Sequence, residues 1–106
     1  MSEMKWSKHE KEIARRAYDA AYQRECAAIA EKVREMAAKA DDRVALWRIH
    51  DYLSEKRKET DEKYDYRYSV LLLVFVRLVR EGWIKPEEIA GLSDDKMRTI
   101  RGMAEQ

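Results

Sequence analysis

Apolar side chains recur along the first third of the chain at helical spacing. Tyr18, Tyr22, Cys26, Ile29, Val33, Met36 and Ala40 follow one another at intervals of four, four, three, four, three and four. That alternation lines one side of a helix with a seam suited to packing on another helix. Ser7-Lys8-His9-Glu10 has the S-x-x-E form of a capping box, which predicts a helix start at about residue 8. Trp6, just before it, is placed for a hydrophobic staple. No Gly or Pro follows until well past Asp41-Asp42, so this first helix is predicted over about residues 8–40. Its alanines, Ala14, Ala17, Ala20 and Ala21 among them, would let a second helix approach closely. Glu12→Arg16 and Glu35→Lys39 are i,i+4 pairs in the favourable order, each worth only about 0.2–0.5 kcal/mol.

Asp41 or Asp42 is placed to cap a second helix over about 42–64, with Glu59→Lys63 as a further i,i+4 pair. At about 100° per residue it has two faces. Leu46, Ile49 and Leu53 form an apolar stripe continued by Thr60 and Tyr64. Trp47, His50, Asp51 and Ser54 fall on another arc, with Lys58 beside them and Arg57 toward one edge. A surface helix needs one apolar stripe and a solvated back. Here the back carries a large aromatic, an imidazole and a carboxylate within a turn, the makings of a contact surface.

The Tyr64–Tyr68 stretch, with Tyr66 between, is predicted to pack where long and short helices meet, and is compatible with continued helix or a kink. Val70–Val76 is apolar throughout, which suits a helix or strand buried on more than one side. The flanking Arg77-Leu-Val-Arg-Glu-Gly82 favours a helix over Tyr68–Glu81, ended by Gly82 in the left-handed region. Pro86-Glu87-Glu88 opens a short helix that Gly91 is expected to close. Ser93-Asp94-Asp95 caps a last one from Asp95 to about Met103. The fold class is therefore all-α, with one long helix, a second folded back antiparallel, and a cluster of shorter helices over 68–104. One domain over 1–106 is expected.

Length adds a consequence. About 32 residues at roughly 1.5 Å each give a first helix of about 48 Å, whereas a compact domain of this size is roughly 35 Å across. The overhanging seam is most simply buried on a second copy, so a homodimer is expected, with Ile29, Val33 and Met36 in the interface.

Composition narrows the function. Charged residues make up 41% of the 106, but Lys plus Arg is 22 and Asp plus Glu 21. That balance leaves no one-signed patch for nucleic acid. A lone Cys26 suits a reducing cytosol, Met1–Lys11 has no leader pattern, and the longest apolar run, Val70–Val76, is far short of the ~20 residues of a membrane span. A cytoplasmic protein is expected. Two His and one Cys without ligand spacing argue against a metal, and no cofactor motif is present. His50 and Asp51 are neighbours that should not face each other on a helix, no nucleophile or orienting group accompanies them, and no catalytic residue is assigned.

The block Leu46-Trp-Arg-Ile-His-Asp-Tyr-Leu-Ser-Glu-Lys-Arg57, followed by Asp61-Glu-Lys-Tyr64 and Ser69-Val-Leu-Leu-Leu-Val-Phe75, resembles the fluorescence recovery protein family of cyanobacteria. Trp6-Ser7, Ala21-Tyr-Gln-Arg-Glu25, Arg80-Glu-Gly82, Glu87-Glu88 and Asp95-Lys96 extend the likeness over nearly the whole chain. The resemblance implies a small all-helical homodimer without chemistry of its own. Such proteins bind the photoactivated orange carotenoid protein, chiefly its C-terminal domain, and speed its return to the resting orange form, ending quenching of the phycobilisome. Carried over by position, Trp47, His50, Asp51 and Arg57 would form the partner-binding patch and Leu46 the dimer contact. Leu73 and Thr99 stand where a cyanobacterial member has Phe and Lys. Homologues also occur in bacteria without the carotenoid protein, so a dimeric helical module with another partner is the alternative.

Overall fold

The computed structural model describes residues 5–106; Met1–Met4, part of the stretch read for a leader, lie outside the described residues. The order is α1 (Lys8–Lys39), α2 (Arg43–Lys63), α3 (Tyr68–Arg80), a 3₁₀ turn (Pro86–Ile89) and α4 (Asp94–Ala104). Each start has a local cause. At α1 the Ser7 hydroxyl accepts from the Glu10 amide at 3.1 Å, and Glu10 accepts from the Ser7 amide at 3.0 Å, the reciprocal capping box. Asp42 caps α2 by accepting from the Ala45 amide at 2.7 Å, and Ser93 caps α4. Tyr64–Arg67 is not helical, so the tyrosine stretch is a break between α2 and α3. Gly82, with φ +84°, ends α3 in the left-handed region, where the space around it is open but any residue with a Cβ is strained by its own backbone.

The molecule has two unlike halves. In the first, here called the head, residues 8–25 of α1 pack on α3, the 3₁₀ turn and α4 around Phe75, Leu71, Leu78, Ile84, Ile89 and Ile100. The second is a hairpin of the remaining half of α1 and most of α2. No residue from Cys26 to Glu59 is buried. The extents, 54 × 27 × 26 Å, record that projection.

Several details differ from the sequence expectations. The face of α1 that enters the core is Ile13, Ala14, Ala17 and Ala21, because small side chains let α1 lie close to its neighbours. Tyr18 and Tyr22 of the expected seam instead pack edge-on against Tyr64 within the chain, at 5.4 and 5.0 Å between ring centroids, and Cys26 is exposed. Trp6 does not staple the start of α1. It lies in the core against Tyr68 and Phe75, with the Lys96 ammonium 4.7 Å from its ring centre. Val70–Val76 is not buried all round: Leu73 is 55% exposed. Gly91 has no positive φ; a Cβ there would overlap Ile13 Cδ1, so glycine is needed for close approach to α1. The expected helix-surface pairs rearrange too, with Glu35 nearest Lys32 at 4.0 Å and Lys63 bonded away from Glu59.

Candidate functional site

Trp47, His50 and Asp51 come together on the solvent side of α2, as spacing of three and four residues requires. Trp47 is 62% exposed. Its ring meets the His50 imidazole edge-on, 6.0 Å between centroids and 78° between planes. His50 Nδ1 lies 3.4 Å from Asp51 Oδ1. The expectation that these neighbours would not meet is thus corrected, although the contact is long and both side chains are largely in water, where such pairing contributes little. It places an indole, an imidazole and a carboxylate side by side on an open helix surface. Arg57 stands apart, about 9 Å further along the axis than Asp51 at the helical rise. Its Nε donates to Asp61 Oδ2 at 3.1 Å, on a strongly exposed side chain.

The stripe expected to be covered is itself open. Leu46 is 54% and Leu53 41% exposed, and Val44 is also exposed; Ile49 is half-buried. Ile29, Val33 and Met36 on α1 are half-buried as well. The hairpin therefore carries incompletely covered apolar side chains on both of its helices. Among the described residues no group of three or more His, Cys, Asp or Glu is arranged to hold a metal, and no helix is long and apolar enough to cross a membrane.

Two buried ionic clusters lay beyond the sequence reading. At the base of the hairpin, Lys63 is 5% exposed and Glu25 6%. Lys63 Nζ donates to Glu25 Oε2 and to Glu81 Oε1, both at 2.7 Å, and Tyr64 Oη donates to Glu25 Oε1 at 2.8 Å. Burial and its bond to Glu25 together push the Tyr64 phenol well above its ordinary range. Glu81 also accepts from Arg77 Nε and Trp83 Nε1. Burial works against its charge, but the bonds from Lys63 and Arg77 outweigh it and hold the carboxyl below its ordinary value. Beside Glu25, the Arg24 guanidinium donates to Trp83 O at 2.9 Å and to both Glu88 oxygens at 2.9 and 2.6 Å. Those bonds bring Glu88 down to about 2. At the other end of the head, the capping carboxylate Glu10 also accepts from the Ser93 amide at 2.8 Å and from Lys96 Nζ at 3.1 Å. A signal for the first cluster was present: Glu25 extends the small-residue face Ala14, Ala17, Ala21 at spacing three, four, four. A carboxylate in line with a buried face requires a buried partner.

Comparison with known proteins agrees with this architecture. Residues 6–104 match the family described as photoprotection regulator fluorescence recovery protein. The chain is 39% identical over 103 residues to a fluorescence recovery protein of Synechocystis sp., covering 97% of this chain and 94% of that one. The solved fluorescence recovery protein of Fremyella diplosiphon superposes with a TM-score of 0.90 at 41% identity, over 96% of this chain and all of the other. That of Synechocystis sp. superposes with 0.91 at 38% identity over the same shares. Family match, identity over nearly full length and a shared helical architecture lead to one conclusion: this chain belongs to the fluorescence recovery protein family of photoprotection regulators.

Proposed function

We propose that the protein is a non-enzymatic, cytoplasmic regulator that binds photoactivated orange carotenoid protein through that protein's C-terminal domain. Binding accelerates return to the resting orange state and so ends phycobilisome quenching. The observation that carries the reading is the exposure of Trp47, His50 and Asp51 on a hairpin whose own packing leaves them free. Trp47 supplies a desolvated anchor of the kind that dominates interface energetics. His50, Asp51 and Arg57 supply orientation through hydrogen bonds and charge.

A helper without covalent chemistry speeds relaxation only by binding the barrier, or the resting-like arrangement, more tightly than the active one. The working unit is a homodimer. What supports this is incomplete cover on the hairpin's apolar side chains: Leu46 is exposed and Ile29, Val33 and Met36 are half-buried, of the sort that marks an interface, and a twofold partner covers them with the same surface.

The test is to mix the chain with photoconverted orange carotenoid protein and time the red-to-orange decay in darkness. Wild type shortens it. Trp47→Ala and Asp51→Leu lose most of that effect, on the order of tenfold or more for an anchor worth at least about 2 kcal/mol, while remaining dimeric. Unchanged kinetics in both variants would remove the patch from the mechanism. Exposed Leu73 and the neutral Thr99 on α3 and α4 favour a second reading, a dimeric helical module with a different native partner. A folded wild-type dimer that leaves the decay untouched would select it.

A further inference from the structure

One turn of α1 marks where the molecule changes character. On its N-terminal side lies the whole core; on its far side, through Glu59 of α2, nothing is buried. At that turn Arg24 and Glu25 point to different neighbours, Arg24 to the Trp83 carbonyl and Glu88, Glu25 to Lys63. Lys63 links onward to Glu81. The result is a polar collar around α1 that ties in the last turn of α2, the end of α3 and the 3₁₀ turn. Among the described residues, Lys63 is the only residue of α2 whose side chain hydrogen-bonds outside α2.

We propose that this collar is the joint between hairpin and head, and that Lys63 is the positioning residue that sets the tilt and rotation of α2. A methylene surface can slide, but an ammonium with two carboxylates at 2.7 Å has few acceptable orientations. Replacing a buried ion pair by apolar groups is often neutral for stability, so the contribution assigned to this one is the choice of a single arrangement. Leverage makes the choice matter. Arg43 lies 20 residues from Lys63, about 30 Å along the axis, and α1 runs unbroken through the collar to Lys39, so a bend of the hairpin as a unit by roughly 10° at the collar moves the tip by about 5 Å. Lys63 thereby fixes the bearing of the Trp47–His50–Asp51 face relative to the head. That bearing affects partner binding only on the function proposed above; the joint itself does not depend on it.

The test reads distance in the absence of any partner, so its outcome is separate from the recovery assay. Nitroxides are placed at the hairpin tip (Asp41→Cys) and on α4 (Arg101→Cys) in a Cys26→Ser background, diluted with excess unlabelled chain so that only intrachain pairs contribute. Pulsed dipolar spectroscopy gives one narrow distribution for this parent. Lys63→Met broadens it by about 5 Å or more, the swing set by the lever arm. Glu25→Met/Lys63→Met replaces the pair by apolar groups and keeps the parent's helix content, a substitution that is often neutral for stability; it broadens the distribution too. This second variant carries the test if Lys63→Met alone does not fold. A double variant with the parent's helicity and an equally narrow distribution overturns the proposal.

Discussion

Gly91 shows how a single residue can be placed for a reason its neighbours in sequence do not reveal. Nothing in its backbone demands glycine, since φ is not positive, but α1 passes so close that a Cβ would overlap Ile13 Cδ1. Ile13 is itself buried and has little room to yield. Gly91→Ala is therefore expected to cost about 1–3 kcal/mol by overpacking. Ile13→Val removes the offending methyl, so Gly91→Ala/Ile13→Val should lose less than the sum of its parts. Denaturant melts of the four proteins measure that coupling; simple additivity would mean the two sites do not touch. Glu10 makes the same point from the other side. S-x-x-E predicts its local role in the capping box, and the structure gives its carboxylate a second one, holding Lys96 and the start of α4. The backbone amides of Ser7 and Ser93, with Lys96, keep it ionised below its ordinary value although burial opposes this.

At the scale of elements, α2 is the informative case. Its start and two faces are legible in the sequence because cap chemistry and 3.6-residue periodicity are local, whereas its end, compatible with continued helix or a kink, is not. What periodicity cannot say is whether an apolar stripe is covered. Leu46, Ile49 and Leu53 have the spacing of a core face, yet Leu46 and Leu53 stand open in the protomer. Leu46→Glu places a charge in the surface proposed as the twofold contact, where an unpaired buried charge costs several kcal/mol. The expected result is a monomer by light scattering with helix content largely retained. A mass equal to the wild-type dimer would put the interface elsewhere. Conversely Tyr18 and Tyr22 continue the seam on paper but are drawn aside, since the break after α2 delivers Tyr66 and Tyr64 onto them, and Cys26 is left exposed.

For the whole molecule, the head depends on carboxylates that are more acidic folded than free. Glu88 falls from its ordinary 4.5 to about 2 through Arg24 and the Lys85 amide; Glu10 and Glu81 are lowered as well. A depressed carboxyl contributes stability that is fully present above its ordinary value and is lost as pH falls through the folded one. Melting temperature should therefore hold down to about pH 4.5 and decline from there toward about pH 2. Glu88→Gln should melt lower at neutral pH and lose less over that interval. Parallel pH profiles in wild type and variant, followed by circular dichroism, would take Glu88 out of the account.

Helix order, the capped starts and the end at Gly82 followed from the chain itself, because capping groups, glycine at a positive φ and apolar periodicity act within a few residues. So did the grouping of Trp47, His50 and Asp51 on one surface, which needs only helical geometry. The tertiary structure alone decided which apolar faces are covered, that Lys63 and Lys96 are buried rather than solvated, and that the chain divides at Arg24–Glu25 into a packed head and an open hairpin. Those outcomes depend on contacts between residues tens of positions apart, and no local rule fixes which distant carboxylate a lysine will meet.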